Sequence, residues 1–221
     1  IEWAAKNAAA ILEAWLPGEE GGNAVADVLF GDVNPGGKLP VSLLRTAGQV
    51  PTAYNRREAS FSRRAHYAFT DRNPVFPFGH GLGYSTFAYS GLEIAPASVV
   101  EEPDVRIACH VENTGSRAGD EVVQLYVRDP VASVTRPRQE LKGFCRVHLG
   151  PGEKRKLVFT LPIEQLAFYD AGMNLVVEPG EIEVMVGSSS EDIRLNGRLD
   201  LTSRREIRQR RRFATEVATF E

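Results

Sequence analysis

In Val123-Gln124-Leu125-Tyr126-Val127-Arg128 the odd-numbered positions are apolar, and in Val105-Arg106-Ile107-Ala108-Cys109-His110-Val111 they are apolar again. A period of two marks a strand with one buried face. Phe87–Ile94, Glu121–Arg128, Glu140–Val147, Arg155–Leu161 and Glu181–Gly187 also have strand length, with glycine and proline punctuating the intervals between them. Asn113-Thr114-Gly115 and Gly150-Pro151-Gly152-Glu153 supply turns. Short strands repeated at this spacing predict an all-β sandwich for the second part of the chain.

The first 45 residues read differently. Ala9–Trp15 is a short apolar run with the character of a buried strand, and Pro17-Gly18 breaks it. From Gly22, Val25, Val28 and Leu29 recur on one helical face, and Gly31 stands where a left-handed cap belongs. Asn34-Pro35-Gly36-Gly37 predicts a turn and Lys38–Leu44 a second strand. Strand, loop, helix, turn and strand form the repeating unit of an α/β sheet. Arg45–Asn73 is polar and aperiodic, so it reads as a long surface loop. Ile1-Glu2-Trp3 runs straight into a helical segment without a leader, and no Met precedes Met173. The expectation is a chain that begins inside an element through truncation, a processed native terminus being the alternative.

Trp15–Pro40 (WLPGEEGGNAVADVLFGDVNPGGKLP) resembles the end of the α/β sandwich domain of glycoside hydrolase family 3, the β-glucosidase and β-xylosidase family. Further family-like segments follow in order: Gly48-Gln49-Val50-Pro51, Phe76–Phe87 (FPFGHGLGYSTF), Arg138–Phe144 (RQELKGF) and Phe168–Ser190. The resemblance implies an α/β remnant over 1–45, a loop and interdomain linker over 46–86, a fibronectin type III-like domain over 87–202 and a basic tail over 203–221. It also implies a retaining, exo-acting hydrolase of terminal β-D-glucosyl or β-D-xylosyl residues. Oligosaccharides or aryl β-glycosides would be its substrates through the full-length enzyme, and no cofactor is implied.

Retaining hydrolysis needs two carboxyl groups about 5–5.5 Å apart. In the family the nucleophile is an Asp of an N-terminal barrel, and the acid/base is commonly a Glu upstream of the matching stretch. Neither motif occurs here, so the resemblance assigns no catalytic residue to these 221 residues and implies that they are inert alone. A non-catalytic interaction or polysaccharide-binding module is the alternative reading.

Three residues are candidates for the rim of a sugar site. Glu20 matches the Glu of the family's G-x-E-G-G loop, and its competing role is structural, at a helix N-terminus favoured by the dipole. His80 and Tyr84 sit in an aromatic segment rich in Gly and Pro, where the competing role is interdomain packing. Gly83 stands where the family usually has Ser. Gly18, Gly21 and Gly22 lack the Lys-Ser/Thr of a phosphate loop and read as a tight helix entry.

A net charge of −3 does not point to nucleic acid. Apolar runs fall far short of the roughly 20 residues that cross a bilayer. His66, His110 and His148 lack metal-ligand spacing. Cys109 and Cys145 fall on separate strands, leaving both a disulfide and two buried thiols open. Ser203–Arg212 holds six Arg against one Glu and reads as a solvated, poorly ordered terminus. Cellular compartment is left open.

Overall fold

A computed structural model describes residues 1–57, 73–208 and 212–220. Two helices, α1 (Glu2–Asn7) and α2 (Gly21–Phe30), precede a region built almost wholly of strands. Its strands are β1 (Phe87–Ala95), β2 (Ser98–Val99), β3 (Asp104–Asn113), β4 (Gly119–Arg128), β5 (Glu140–Leu149) and β6 (Lys154–Pro162). They continue as β7 (Phe168–Tyr169), β8 (Leu175–Val177), β9 (Gly180–Gly187), β10 (Ile193–Leu201), β11 (Arg205–Glu206) and β12 (Glu216–Phe220). One sheet has the order β1-β3-β6-β12 and the facing sheet β2-β10-β9-β4-β5; β11-β8-β7 form a small third sheet.

The period of two becomes the core. Along β3, Val105, Ile107, Cys109 and Val111 are buried while Arg106 is exposed. Opposite them, Val123, Leu125 and Val127 of β4 point inward, joined by Leu157, Phe159 and Leu161 of β6 and by Ile182, Val184 and Val186 of β9. Each such side chain contributes about 1.5–3 kcal/mol on leaving water. Cys109 and Cys145 are free thiols, and burial pushes the Cys109 thiol up to about 12.

On β4 the alternation gives way to burial on both faces. Tyr126 lies edge-on to Tyr54 at 6.0 Å, and Tyr54 stacks on Phe78 at 4.2 Å. Gln124 donates through Nε2 to the carbonyls of Gly79 and Ser188. The outer face of the five-stranded sheet is therefore where the preceding segment docks.

Several local expectations are corrected. Ala9–Trp15 is irregular and exposed instead of a buried strand, because no strand among the described residues pairs with it. Asn34–Gly37 does not close a turn, since Asn34 bonds to distant residues instead of local ones. Lys38–Leu44 is not a strand but an extended segment with one bridge, Leu43 to Phe76, and backbone bonds linking Leu39 and Leu43 to residues 75–80. The expected helix forms as α2, and Gly31 takes φ +82° as its left-handed cap. Residues 58–72 of the expected loop, with His66, lie outside the described residues.

The described parts of 203–221 are not a loose terminus either. β12 pairs with β6 from Glu216↔Thr160 to Phe220↔Lys156, and Thr215 donates to the Lys142 carbonyl. Arg204 meets Asp170 at 2.6 Å and Arg212 meets Asp104 at 2.8 Å, so acids on the sandwich match the tail's arginines.

Both tryptophans of the chain are exposed, Trp3 at 76% and Trp15 at 55%, beside a 98% exposed Leu16. Denaturing the isolated 221-residue chain should therefore abolish its far-UV circular dichroism while tryptophan emission stays at the wavelength of hydrated indole. Blue-shifted native emission that moves together with the dichroism would contradict this exposure.

Candidate functional site

The segment from Gly31 to Leu44 and the segment from Val75 to Thr86 lie together against one end of the sandwich, and the seam between them is the most chemically furnished place in the described structure. Asn34 organises it. Its Nδ2 donates to Ser85 Oγ and to the Ala118 carbonyl, both at 2.9 Å, while its Oδ1 accepts the Tyr84 N–H at 2.7 Å. With the amide saturated, the following glycines can approach other backbone closely. A Cβ on Gly81 would stand 2.2 Å from the Gly37 carbonyl oxygen, and one on Gly36 would stand 2.7 Å from Asp120 Cβ.

Below this contact lies a charged floor. Lys38 Nζ donates to Ser188 Oγ at 2.8 Å and to the Gly81 carbonyl at 3.1 Å, and it pairs with Glu121 Oε1 at 3.4 Å. The two side chains are only 10% and 6% exposed. Tyr89 donates its hydroxyl to the same Glu121 oxygen at 2.7 Å. Burial first, and then the charge of Glu121, push the Tyr89 phenol far above its usual range, so it remains a protonated donor. Because Tyr89 belongs to β1 and Glu121 to β4, this link joins the two sheets.

The walls are polar and charge-matched. Arg194 grips Asp192 with Nε to Oδ1 at 2.6 Å and Nη2 to Oδ2 at 2.7 Å, and its guanidinium lies 5.5 Å from the Tyr89 ring centre. This hydrogen bond holds the Asp192 carboxyl below its ordinary range. Asp120 accepts from Arg146 at 2.7 Å and lies 2.6 Å from His148 Nδ1. His80 stacks on Phe76 at 5.1 Å, and burial, reinforced by the Lys38 charge, pushes its pKa down, so the ring is neutral at pH 7. Between floor and walls is a cleft of about 340 Å³.

Of the three candidate residues, only His80 lines this cleft. Tyr84 donates its hydroxyl to the Val28 carbonyl at 2.6 Å, tying down the last turn of α2, and Arg117 sits over its ring. Glu20 is exposed at the N-cap of α2 and accepts from Asn23 Nδ2 at 2.6 Å. The structure does not bring Glu20 to His80. Lys38, Tyr89, Glu121, Asp192 and Arg194 were missed. Glu121 carried a readable signal, since it falls in phase with the inward-facing Val123 and Leu125; Lys38, after a turn-like tetrapeptide, carried none. Within the seam both Glu121 and Asp192 are ion-paired, so it is equipped to hold and position groups instead of exchanging protons with a glycosidic oxygen. Among the described residues no group of three or more His, Cys, Asp or Glu could hold a metal ion, and no helix is long and apolar enough to cross a membrane.

Known proteins supply the context. Residues 1–84 match the family described as the glycosyl hydrolase family 3 C-terminal domain, and residues 121–190 match the fibronectin type III-like domain. A β-xylosidase of Formosa agariphila is 45% identical over 192 residues, covering 86% of this chain and 27% of its own length. The periplasmic β-glucosidase of Salmonella typhimurium is 40% identical over 197 residues, covering 86% and 26%. Among solved structures, a β-glucosidase from Erythrobacter marinus superposes with a TM-score of 0.83 at 45% identity, covering 90% of this chain and 26% of that one. A Listeria innocua β-glucosidase in complex with glucose gives 0.80 at 35% identity, covering 86% and 28%. The chain thus spans about a quarter of the length of the curated relatives it matches.

Proposed function

Because the chain belongs to glycoside hydrolase family 3, we propose that it serves as the buttress of a retaining, exo-acting glycosidase that removes terminal non-reducing β-D-glucosyl or β-D-xylosyl residues. In this reading the chemistry belongs to an aspartate nucleophile and a glutamate acid/base outside these 221 residues. What these residues contribute is rigidity. Catalytic groups must be held within fractions of an ångström of the reacting atoms, and a misplacement of about 1 Å can reduce a rate about a hundredfold. The observation that carries the proposal is the seam: the buried Lys38–Glu121–Tyr89 network and the Gly36–Asp120 approach join the Trp15–Pro40 segment to the sandwich, and the Gly81–Gly37 approach locks it against the Val75–Thr86 segment, through contacts that tolerate little movement.

The test compares two polypeptides. The purified 221-residue chain, freed of host enzymes, should give no turnover of aryl β-glucosides or β-xylosides. The same residues joined to the family's barrel and the rest of its α/β domain should hydrolyse one of these substrates, and nuclear magnetic resonance should detect the β-anomer as the first product. Turnover by the short chain, or an α-anomer from the long one, would overturn the proposal.

A further inference from the structure

We propose that the seam cleft is a binding site for a neutral pyranose. The proposal rests on unused hydrogen-bonding capacity in a cleft whose charges are already matched. Its volume of about 340 Å³ lies within the range of small-molecule sites, which favour domain boundaries. Lys38 is matched by Glu121, Arg194 by Asp192, and Asp120 by Arg146. An ionic ligand would therefore have to displace an existing partner, whereas a hydroxylated neutral one need not.

The unused groups are those a sugar requires. Glu121 is 4% exposed, and both its Tyr89 and Lys38 contacts fall on Oε1. Its Oε2 has no partner among the described residues and is not among the fully enclosed orphan atoms, so it opens to the cleft as an acceptor. Ser189 is 3% exposed, and its Oγ accepts the Glu191 and Asp192 N–H groups, leaving its own O–H to donate. The neutral His80 ring offers one donor and one acceptor nitrogen, neither engaged within the described structure. Leu82 and Phe87 give an apolar wall for the C–H face of the ring. A cleft that combines free acceptors and donors with apolar side chains suits a pyranose better than a carboxylate or phosphate. The inference does not depend on hydrolysis, because binding is measured without turnover.

Chemical-shift titration of the labelled 221-residue chain with D-glucose, D-xylose, xylobiose and gluconate provides the test. A neutral sugar should produce saturable shifts at His80, Gly81 and Ser188–Asp192, with a dissociation constant on the order of 1–10 mM, an affinity of roughly 3–4 kcal/mol. Loss of one neutral hydrogen bond in His80→Ala should weaken it about 5- to 10-fold. Gly37→Phe introduces a ring where a Cβ meets no atom within 4 Å, and should abolish binding while the β-strand resonances stay in place. Xylobiose binding as tightly as xylose would identify a chain end as the ligand, whereas xylose alone would identify the free sugar; both support the proposal. Shifts that fail to saturate by about 100 mM, unchanged affinity in Gly37→Phe, or preferential binding of gluconate would overturn it.

Discussion

Replacing Lys38 with Met is expected to lower the unfolding free energy of the chain by about 3–5 kcal/mol, because it leaves Glu121 charged, buried and without its cation. Lys38 also supplies donors to Ser188 and Gly81, so the seam loses its central tie at the same time. The protein can limit the penalty by drawing cleft water onto Glu121 or by opening the seam itself. Two measurements separate these responses. Urea denaturation reads the total loss, and amide exchange at Leu39 and Gly79, which bond across the seam, reads local opening against the protected amides of β3 and β6. Adding Glu121→Gln should restore most of the stability, because the amide still accepts the Tyr89 hydroxyl and no charge remains buried. A coupling of at least about 2 kcal/mol is expected; strictly additive losses would show that the pair does not act as a unit.

What could be read from the chain divides along physical lines. Where alternating apolar side chains meet the core without interruption, the period of two was legible, as in Val105–Val111 of β3 and in Val123, Leu125 and Val127 of β4. β10 was not read as a strand, although Ile193, Leu195, Leu199 and Leu201 share one phase, because Gly197 breaks the apolar phase at its centre. Gly197 is there for a steric reason: a Cβ would come 2.7 Å from Ile94 Cδ1 and 2.9 Å from Leu92 Cδ2, so β1 needs the space. Asn34-Pro35-Gly36-Gly37, read as a turn, misled more directly. Its composition is that of a turn, but its geometry is decided by Ser85, Tyr84 and Ala118, roughly 50 to 85 residues away. The cleft shares this dependence on distant residues. Lys38, Tyr89, Glu121 and Asp192 come from four separate stretches, and only Glu121, a charge in an apolar phase, marked itself locally.

The second large effect should come from Gly81→Ala, and its neighbour across the contact supplies the control. The new Cβ would stand 2.2 Å from the Gly37 carbonyl oxygen, a backbone atom that cannot rotate away, so one of the two segments has to move. Either movement displaces the Gly81 carbonyl that accepts from Lys38 and disturbs the adjacent His80 carbonyl that accepts the Leu39 N–H. Overpacking of this kind costs about 1–3 kcal/mol, a fall of roughly 4–8 °C in the unfolding midpoint for a chain of this size at the middle of that range. Gly37→Ala faces the same contact from the other side, but its Cβ meets no atom within 4 Å, and its effect should stay within about 0.5 kcal/mol. The two variants share one chemical change, one methyl group on glycine, and differ in whether that methyl has room. Equal midpoints for Gly81→Ala and Gly37→Ala would mean that the seam is loose in solution, and the buttress role would lose its physical basis.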